Sequence, residues 1–414
     1  MKIIQNLSMN STSQRIVSID FLRGLTIALM IVVNNPGSWG AWDSVNSKWI
    51  NHLFLPFSHS HWNGCTITDL IFPFFLFIVG ASIAFAMGSK KQNFKNHNHL
   101  IVKVIKRGLV IFLLGVLKDA FPYFHLVNGE YECWGPLDWR IPGVLQRIGL
   151  VFIIGGIIFI KSSPKVLWLI LISILLGYWG LLYIEIPGAY ELDLTVPNKN
   201  FGAWLDTKVL TKNHLWPNSR KYGWDPESLF GTISAVASAI MGILAGTYIK
   251  SEKTVLEKVS GLFFAGSIST IFALGWNFLF PINKTLWTSS YVLYTGGIAA
   301  MCTAFSIWLM DYKGNQKIAK PFLIYGSNAL TAYLMSELVS SLIHNIQVGE
   351  TPISGHIANF ILRWFTDVPF HEIFANHPDL ISAKWASHIY AFLWMIPFYL
   401  ILRWMYNRKI FIKV

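Results

Sequence analysis

Charge is scarce in this sequence. Asp, Glu, Lys and Arg make up only 13% of its 414 residues, against about 25% in an ordinary soluble chain. That shortage excludes a solvated globular surface over most of the length. Cysteine is scarcer still. Cys65, Cys133 and Cys302 are widely spaced and odd in number, which rules out a disulfide framework or a cysteine-built zinc site. No cleavable leader is expected either: residues 1–14 are polar, and the first apolar run holds Asp20 and Arg23 without a small-residue cleavage site. There is no internal repeat, no low-complexity tract and no second soluble domain. We therefore read 1–14 as a cytoplasmic N-terminal tail and 15–414 as a single transmembrane domain.

Long apolar runs fill the space that charge leaves. Apolar residues are 53% of the chain and the mean hydropathy is +0.47. The aromatic share is 15%, with 18 Trp, enough for two interfacial belts. A span needs roughly 20 mostly apolar residues. Runs of that kind cover 16–34, 67–88, 100–117, 143–160, 166–184, 229–249, 260–280, 290–310, 321–343 and 388–407. The expected fold is all-α, a polytopic transmembrane bundle of about ten spans.

The distribution of charge orients that bundle. The net charge is +12, but the basic residues sit in short clusters between apolar runs and form no nucleic-acid footprint. Lys90, Lys91, Lys95, Lys103, Lys106 and Arg107 fall on one side, with Lys161, Lys165, Lys250, Lys253, Lys258, Lys313, Lys317, Lys320, Arg408, Lys409 and Lys413. The intervening connections, 35–66, 118–142, 185–228, 281–289 and 344–387, are poor in Lys and Arg for their length. The positive-inside rule puts both termini in the cytoplasm. The opposite loops, rich in Trp, Pro, Gly, Asn and His, are expected to form a shaped surface. Within them, 356–366 reads as a short interfacial helix.

Ionisable groups inside a membrane are costly and mark candidate sites. Asp20 and Arg23 stand three apart on one helix face, as a functional pair or as a plain ion pair. Asn34 ends the first run and is followed by a turn-forming Asn35-Pro36-Gly37. The densest polar stretch is HSHWNGCTITDLIFPFF, residues 59–75, with His59 and His61 before the helix and Asp69 just inside it. A histidine beside a carboxylate suits proton transfer near neutral pH. The alternative leaves both histidines as wet interfacial residues and Asp69 as a helix-dipole partner. Arg147, Asn328 and Glu337 lie within later runs and are expected to face the bundle interior or a cavity. His344, His356, His371, His377 and His388 lack metal-ligand spacing, and His371-Glu372 begins no H-E-x-x-H motif, so no metal is expected.

Six segments occur in a telling order: RIVSIDFLRGLTIALMIVVNN (15–35), HSHWNGCTITDLIFPFF, RIPGVLQRIGL (140–150), DPESLFGT (225–232), FPINKTLWTSSYVLYT (280–295) and PFLIYGSNALTAY (321–333). Together they resemble the transmembrane acetyltransferases related to heparan-α-glucosaminide N-acetyltransferase, from about Arg15 onward. The resemblance implies transfer of acetyl from cytoplasmic acetyl-CoA to an acceptor across the membrane. In the lysosomal member that acceptor is the amine of a terminal glucosamine. The family's catalytic histidine, three residues before its Trp-Asn-Gly, matches His59. Its asparagine at the end of the first helix matches Asn34, and its carboxylate in the next helix matches Asp69. The DPE motif departs from the family form at Ser228, where Gly is usual, and no long luminal N-terminal domain precedes the match.

On that resemblance His59 is expected to act as base or acetyl carrier, Asp69 to fix its tautomer, and Asn34 to donate to the oxyanion. For the phosphates and pantetheine of acetyl-CoA the candidates are Arg23, Lys106, Arg107, Arg147 and Asn328, with Lys103, Lys161 and Arg403 in reserve. The implied partners are a glucosamine-like or glycan acceptor, the lipid bilayer and a second copy of the chain as a homodimer. The implied location is a bacterial inner membrane, with His59 toward the periplasm. Two other classes compete: an amino-sugar transporter and a non-catalytic membrane scaffold or sensor. No inverted repeat supports the transporter, and the cluster of His, Asp, Asn and Arg weighs against the scaffold.

Overall fold

The computed structural model describes residues 17–34, 58–93, 97–127, 130–133, 135–366 and 378–412. The N-terminal tail, the Asn35–Gly37 turn, and His371, Glu372 and His377 lie outside them. Helices occupy every expected run. They are α1 (Val17–Val33), α2 (Ile67–Asn93), α3 (Asn98–Ala120), α4 (Val144–Lys161), α5 (Pro164–Leu182), α6 (Phe201–Leu210), α7 (Gly231–Ile249), α8 (Val255–Trp276), α9 (Ser289–Ser306, continuing to Tyr312), α10 (Lys320–Ser327), α11 (Ala329–Asn345), α12 (Ile353–Thr366) and α13 (Pro378–Asn407). Two small antiparallel hairpins sit in the connections: β1 (Phe124–Val127) with β2 (Glu130–Cys133), and β3 (Gln347–Val348) with β4 (Thr351–Pro352).

Among the described residues, seven helices are long and apolar enough to cross a membrane by length and composition: α2, α4, α5, α7, α8, α9 with its continuation, and α13 from Ser387. The other three expected spans differ for visible reasons. α1 has 17 residues. α3 carries Lys103, Lys106, Arg107, Lys118 and Asp119 among its apolar residues. The run 321–343 is interrupted at Asn328, whose backbone (φ −130°, ψ 48°) leaves the helical region between α10 and α11.

Local chemistry sets the helix starts. Thr254 and Glu257 form a reciprocal capping box on α8: Glu257 N donates to Thr254 Oγ1 (3.3 Å) and Thr254 N to Glu257 Oε2 (2.7 Å). Asn200 caps α6 by accepting from Ala203 N (3.0 Å). On α5, Pro164 follows the Ser163 cap, where a missing N–H costs nothing.

α7 is the axis of the bundle. Rich in Gly, Ala and Ser, it buries most of its length, and α2 crosses it at backbone contact. A Cβ at Gly80 would stand 1.9 Å from Ala239 O, and one at Gly242 would stand 1.9 Å from Phe77 O. Only glycine permits that approach, the small-residue solution to helix packing without a hydrophobic driving force. At the periphery, α5 and α8 expose Trp168, Leu169, Phe263, Phe264 and Phe272, a surface suited to lipid.

The basic-poor connections gather at one end. Gly64 N donates to Ile282 O (2.7 Å), Trp62 Nε1 to Leu194 O (2.7 Å) and Ile141 N to His214 O (2.9 Å). Basic connections meet at the other end, where Lys91 Nζ donates to Phe159 O (2.7 Å) and Arg23 Nε to Gly326 O (3.1 Å). These are called below the His59 end and the basic end.

Candidate active site

The segment 58–66 leads into α2, and Asp69 ties the two together. Asp69 is fully buried at 0% exposure. Its Oδ2 accepts from Thr66 N (3.1 Å), while Asp69 N donates to Thr66 Oγ1 (3.4 Å), which is a capping box with Asp in the third position. The same oxygen accepts from Ser60 N at 3.0 Å. The other oxygen, Oδ1, lies 2.6 Å from His59 Nδ1. Asp69 is thus both the dipole partner of α2 and the partner of His59, whose side chain is 51% exposed. His61 is exposed and sits outside this set of bonds.

A second segment, 281–288, closes on the first. Asn283 Nδ2 donates to Asn63 Oδ1 (3.2 Å). Lys284 Nζ stands 2.9 Å from His59 Nδ1 and 3.4 Å from Asp69 Oδ1. Below them, Tyr291 Oη donates to the carbonyl of Asp69 (2.6 Å), which holds the first turn of α2 in place. Sequence reasoning quoted the motif around Lys284 but passed over the lysine, which lies 225 positions from His59. Cys65 shares this site, and burial, then the Asp69 charge, pushes its thiol up to about 12. It therefore supplies no thiolate near neutral pH.

The DPE segment packs beside this pair. Arg140 Nε donates to Asp225 Oδ2 (2.9 Å), and its Nη2 to Asp225 Oδ1 and Glu227 Oε2 (2.5 Å each). Asp225 also accepts from Trp216 N (2.8 Å) and Glu227 N (2.8 Å). Ser228 Oγ accepts from Gly231 N (3.1 Å), the first residue of α7. A small cavity opens here, lined by Asn200, Asp206, Trp224, Ser228 and Thr285 among others. Asp206 uses one oxygen to accept from Phe230 N (3.1 Å), and burial raises its carboxyl to about 6.

The remaining candidates fall in three places. Arg147 is buried at the His59 end. Its Nη2 donates to Ser228 O (3.0 Å), and its guanidinium lies 4.8 Å from the Trp287 ring and 6.0 Å from the Phe72 ring. Its Nε and Nη1 have no partner. Asn34 belongs to another cluster, beside Glu337. Lys118 bridges Glu337 (3.3 Å) and Asp119 (2.6 Å), and Gln146 Nε2 donates to Asp119 (2.8 Å). Among the described residues, no bond joins Asn34 to His59 or Asp69.

Toward the basic end, Arg23 pairs with Asp20 (2.6 Å), Lys106 is exposed on α3, and Arg107 lies 5.2 Å from the Phe152 ring. Asn328 is used by the backbone of 410–412: its Nδ2 donates to Ile410 O (3.0 Å) and its Oδ1 accepts from Ile412 N (2.8 Å). No group of three or more His, Cys, Asp or Glu able to hold a metal occurs among the described residues.

Comparison with known proteins adds two findings. A domain family of unknown function, DUF5009, matches residues 15–121. Heparan-alpha-glucosaminide N-acetyltransferase of Mus musculus is 30% identical over 80% of this chain and 54% of its own length. The Homo sapiens protein of the same name is 30% identical over 78% of this chain and 53% of its own length. The chain spans about half the length of the curated relatives it matches.

Proposed function

This chain is a homologue of heparan-alpha-glucosaminide N-acetyltransferase and belongs to that family, and we propose that it moves acetyl from acetyl-CoA to an amino sugar or glycan acceptor across a membrane. The observation that carries this reading is the His59–Asp69 pair, 2.6 Å apart at the mouth of α2. With Nδ1–H donated to a buried carboxylate, the ring presents a lone pair at Nε2. That atom either takes the proton of the acceptor as its nitrogen or oxygen attacks the thioester carbon, or attacks that carbon itself and carries the acetyl. In both cases the C–S bond breaks and CoA leaves as its thiol. The high-lying thiol of Cys65 makes it a poor rival carrier. Asn34, at the end of α1, is the proposed oxyanion donor, an interaction of about 3 kcal/mol elsewhere.

The charge pattern supports a cytoplasmic basic end, where Arg23, Lys106 and Arg107 are the proposed partners of the CoA phosphates. On this reading the His59 end lies on the opposite face, periplasmic if the host membrane is a bacterial inner membrane. Arg147, with two unpartnered N–H groups, is proposed to receive a carbonyl or phosphate oxygen nearer His59 than the sequence implied. Asn328 is proposed to act through the 410–412 segment it holds. The homodimer is carried forward as a proposal, testable by mass in detergent. The transporter alternative is not pursued, because the matching relatives are named as transferases.

Radiolabelled acetyl-CoA and glucosamine test the reading in purified protein, with His59→Gln beside the wild type. The wild type is expected to transfer label, and the variant to bind CoA with unchanged affinity while losing about 10²–10⁴ of the rate. Full activity in His59→Gln, or no transfer by folded wild type, overturns it.

A further inference from the structure

Two partners converge on one nitrogen. His59 Nδ1 lies 2.6 Å from Asp69 Oδ1 and 2.9 Å from Lys284 Nζ. A ring nitrogen has one in-plane site, which holds either a hydrogen to donate or a lone pair to accept. A carboxylate only accepts, and an ammonium only donates. Asp69 therefore favours hydrogen on Nδ1 and a lone pair on Nε2. Lys284 favours the reverse, a lone pair on Nδ1 and hydrogen on Nε2. The ammonium has donors to spare, so in the second state it also serves Asp69 Oδ1, 3.4 Å away, and the buried carboxylate is not left bare. Exchange between the two states moves one proton from Nδ1 to Nε2 through solvent and consumes nothing.

We propose that Lys284 is a positioning residue that governs the protonation of His59, opposing a second positive charge on the ring and sharing Nδ1 with Asp69. This rests on the reading of His59 as the reacting group. An ammonium 2.9 Å from Nδ1 opposes a positive charge on the ring, whereas a carboxylate favours one. Among the described residues, few charged and titratable groups bear on the ring. Asp69 comes from α2, Lys284 from 281–288, and the Cys65 thiol from the 58–66 segment stays neutral. Glu227, from the DPE segment, acts at one remove, since it feels the Lys284 charge. The Tyr291 hydroxyl is occupied by the Asp69 carbonyl.

Diethyl pyrocarbonate acylates unprotonated imidazole, so its rate against pH reports the charge of a given histidine without any substrate. The full chain in detergent is pulsed between pH 5 and 8 as wild type, Lys284→Met and Lys284→Arg. Carbethoxylation of His59 is then read separately from that of His61 by fragment mass spectrometry. Lys284→Met is expected to raise the His59 midpoint by about one pH unit, a rate roughly tenfold lower on the acid side. Lys284→Arg, which keeps the charge, stays within about twofold of wild type, and His61 serves as the unmoved reference. An unchanged midpoint in Lys284→Met overturns the proposal. So does an equal shift in Lys284→Arg, which would trace the effect to packing, or a parallel shift at His61. Because no acetyl transfer enters this measurement, a wild type that modifies no sugar refutes the enzyme reading alone.

Discussion

Replacing Asp69 with Asn is the sharpest probe of the candidate active site, because the two carboxylate oxygens have separate tasks. Oδ2 accepts from Ser60 N (3.0 Å), Thr66 N (3.1 Å) and Thr66 Oγ1 (3.1 Å), and so holds the 58–66 segment and the start of α2. Oδ1 faces His59. Asn has one acceptor and one donor. The two backbone N–H groups demand the acceptor, which turns the amide N–H₂ toward His59 Nδ1 and reverses that bond. The ring is then protonated at Nε2 and has no lone pair where the chemistry needs one. Loss of a charge-assisted bond costs about 1.5–3 kcal/mol, and the wrong tautomer adds to it. Together they amount to roughly 3–5 kcal/mol of barrier, a factor of about 10²–10⁴ in rate. The comparable Asp→Asn change in a serine protease triad costs about 10⁴. Steady-state transfer to glucosamine, CoA titration and thermal unfolding are measured on the same preparation. The expected outcome is kcat down at least about 100-fold, unchanged CoA affinity and little change in Tm. A folded Asp69→Asn protein with kcat within about threefold of wild type would refute the assignment of Asp69, since a structural cap alone tolerates the change.

Two further outcomes concern stability. Gly80→Ala puts a Cβ 1.9 Å from the backbone oxygen of Ala239, so α2 and α7 must part at a cost of about 1–3 kcal/mol or more. Thermal unfolding should register a clear loss, whereas Gly88→Ala, whose Cβ meets only the flexible Lys250 Nζ at 3.0 Å, should be tolerated. Asp206, raised from 3.8 to about 6 by burial, binds its proton more tightly folded than unfolded. Its contribution is therefore most favourable below the unfolded value and is lost as pH rises through about 6, a deficit of about 3 kcal/mol at pH 7. Asp206→Asn keeps the acceptor for Phe230 N and should raise Tm at pH 7.5, with the gain vanishing toward pH 4. A variant less stable than wild type at pH 7.5 contradicts this.

The parts of the molecule that depend on neighbours in sequence were legible from the sequence. Apolar runs located the helices, since hydropathy over 20 residues is local. His59 and Asp69 could be paired because only ten positions separate them and a recognisable motif surrounds them. What long-range packing decides was hidden. Lys284 reaches His59 across 225 positions, and no periodicity marks it. The aromatic rings and Ser228 that hold Arg147 at the His59 end come from distant parts of the sequence. Asn34 lies beside Glu337, a carboxylate from α11. The span count rested on hydropathy and on the alternation of basic loops, neither of which sees the break at Asn328 that the 410–412 backbone satisfies.

That last feature has a bearing on how the protein is made. Asn328 enters the membrane as part of the α10–α11 pair, but the backbone groups that satisfy its amide lie 82 and 84 positions downstream. Until the ribosome has delivered them, a polar break travels through the insertion machinery without its mates and must borrow water or another chain. The bundle is therefore fastened at its basic end by a stretch that emerges only after α13. A protein cut short after α13 would leave that seam open, and a bulky fusion placed just past Ile412 would pull directly on it.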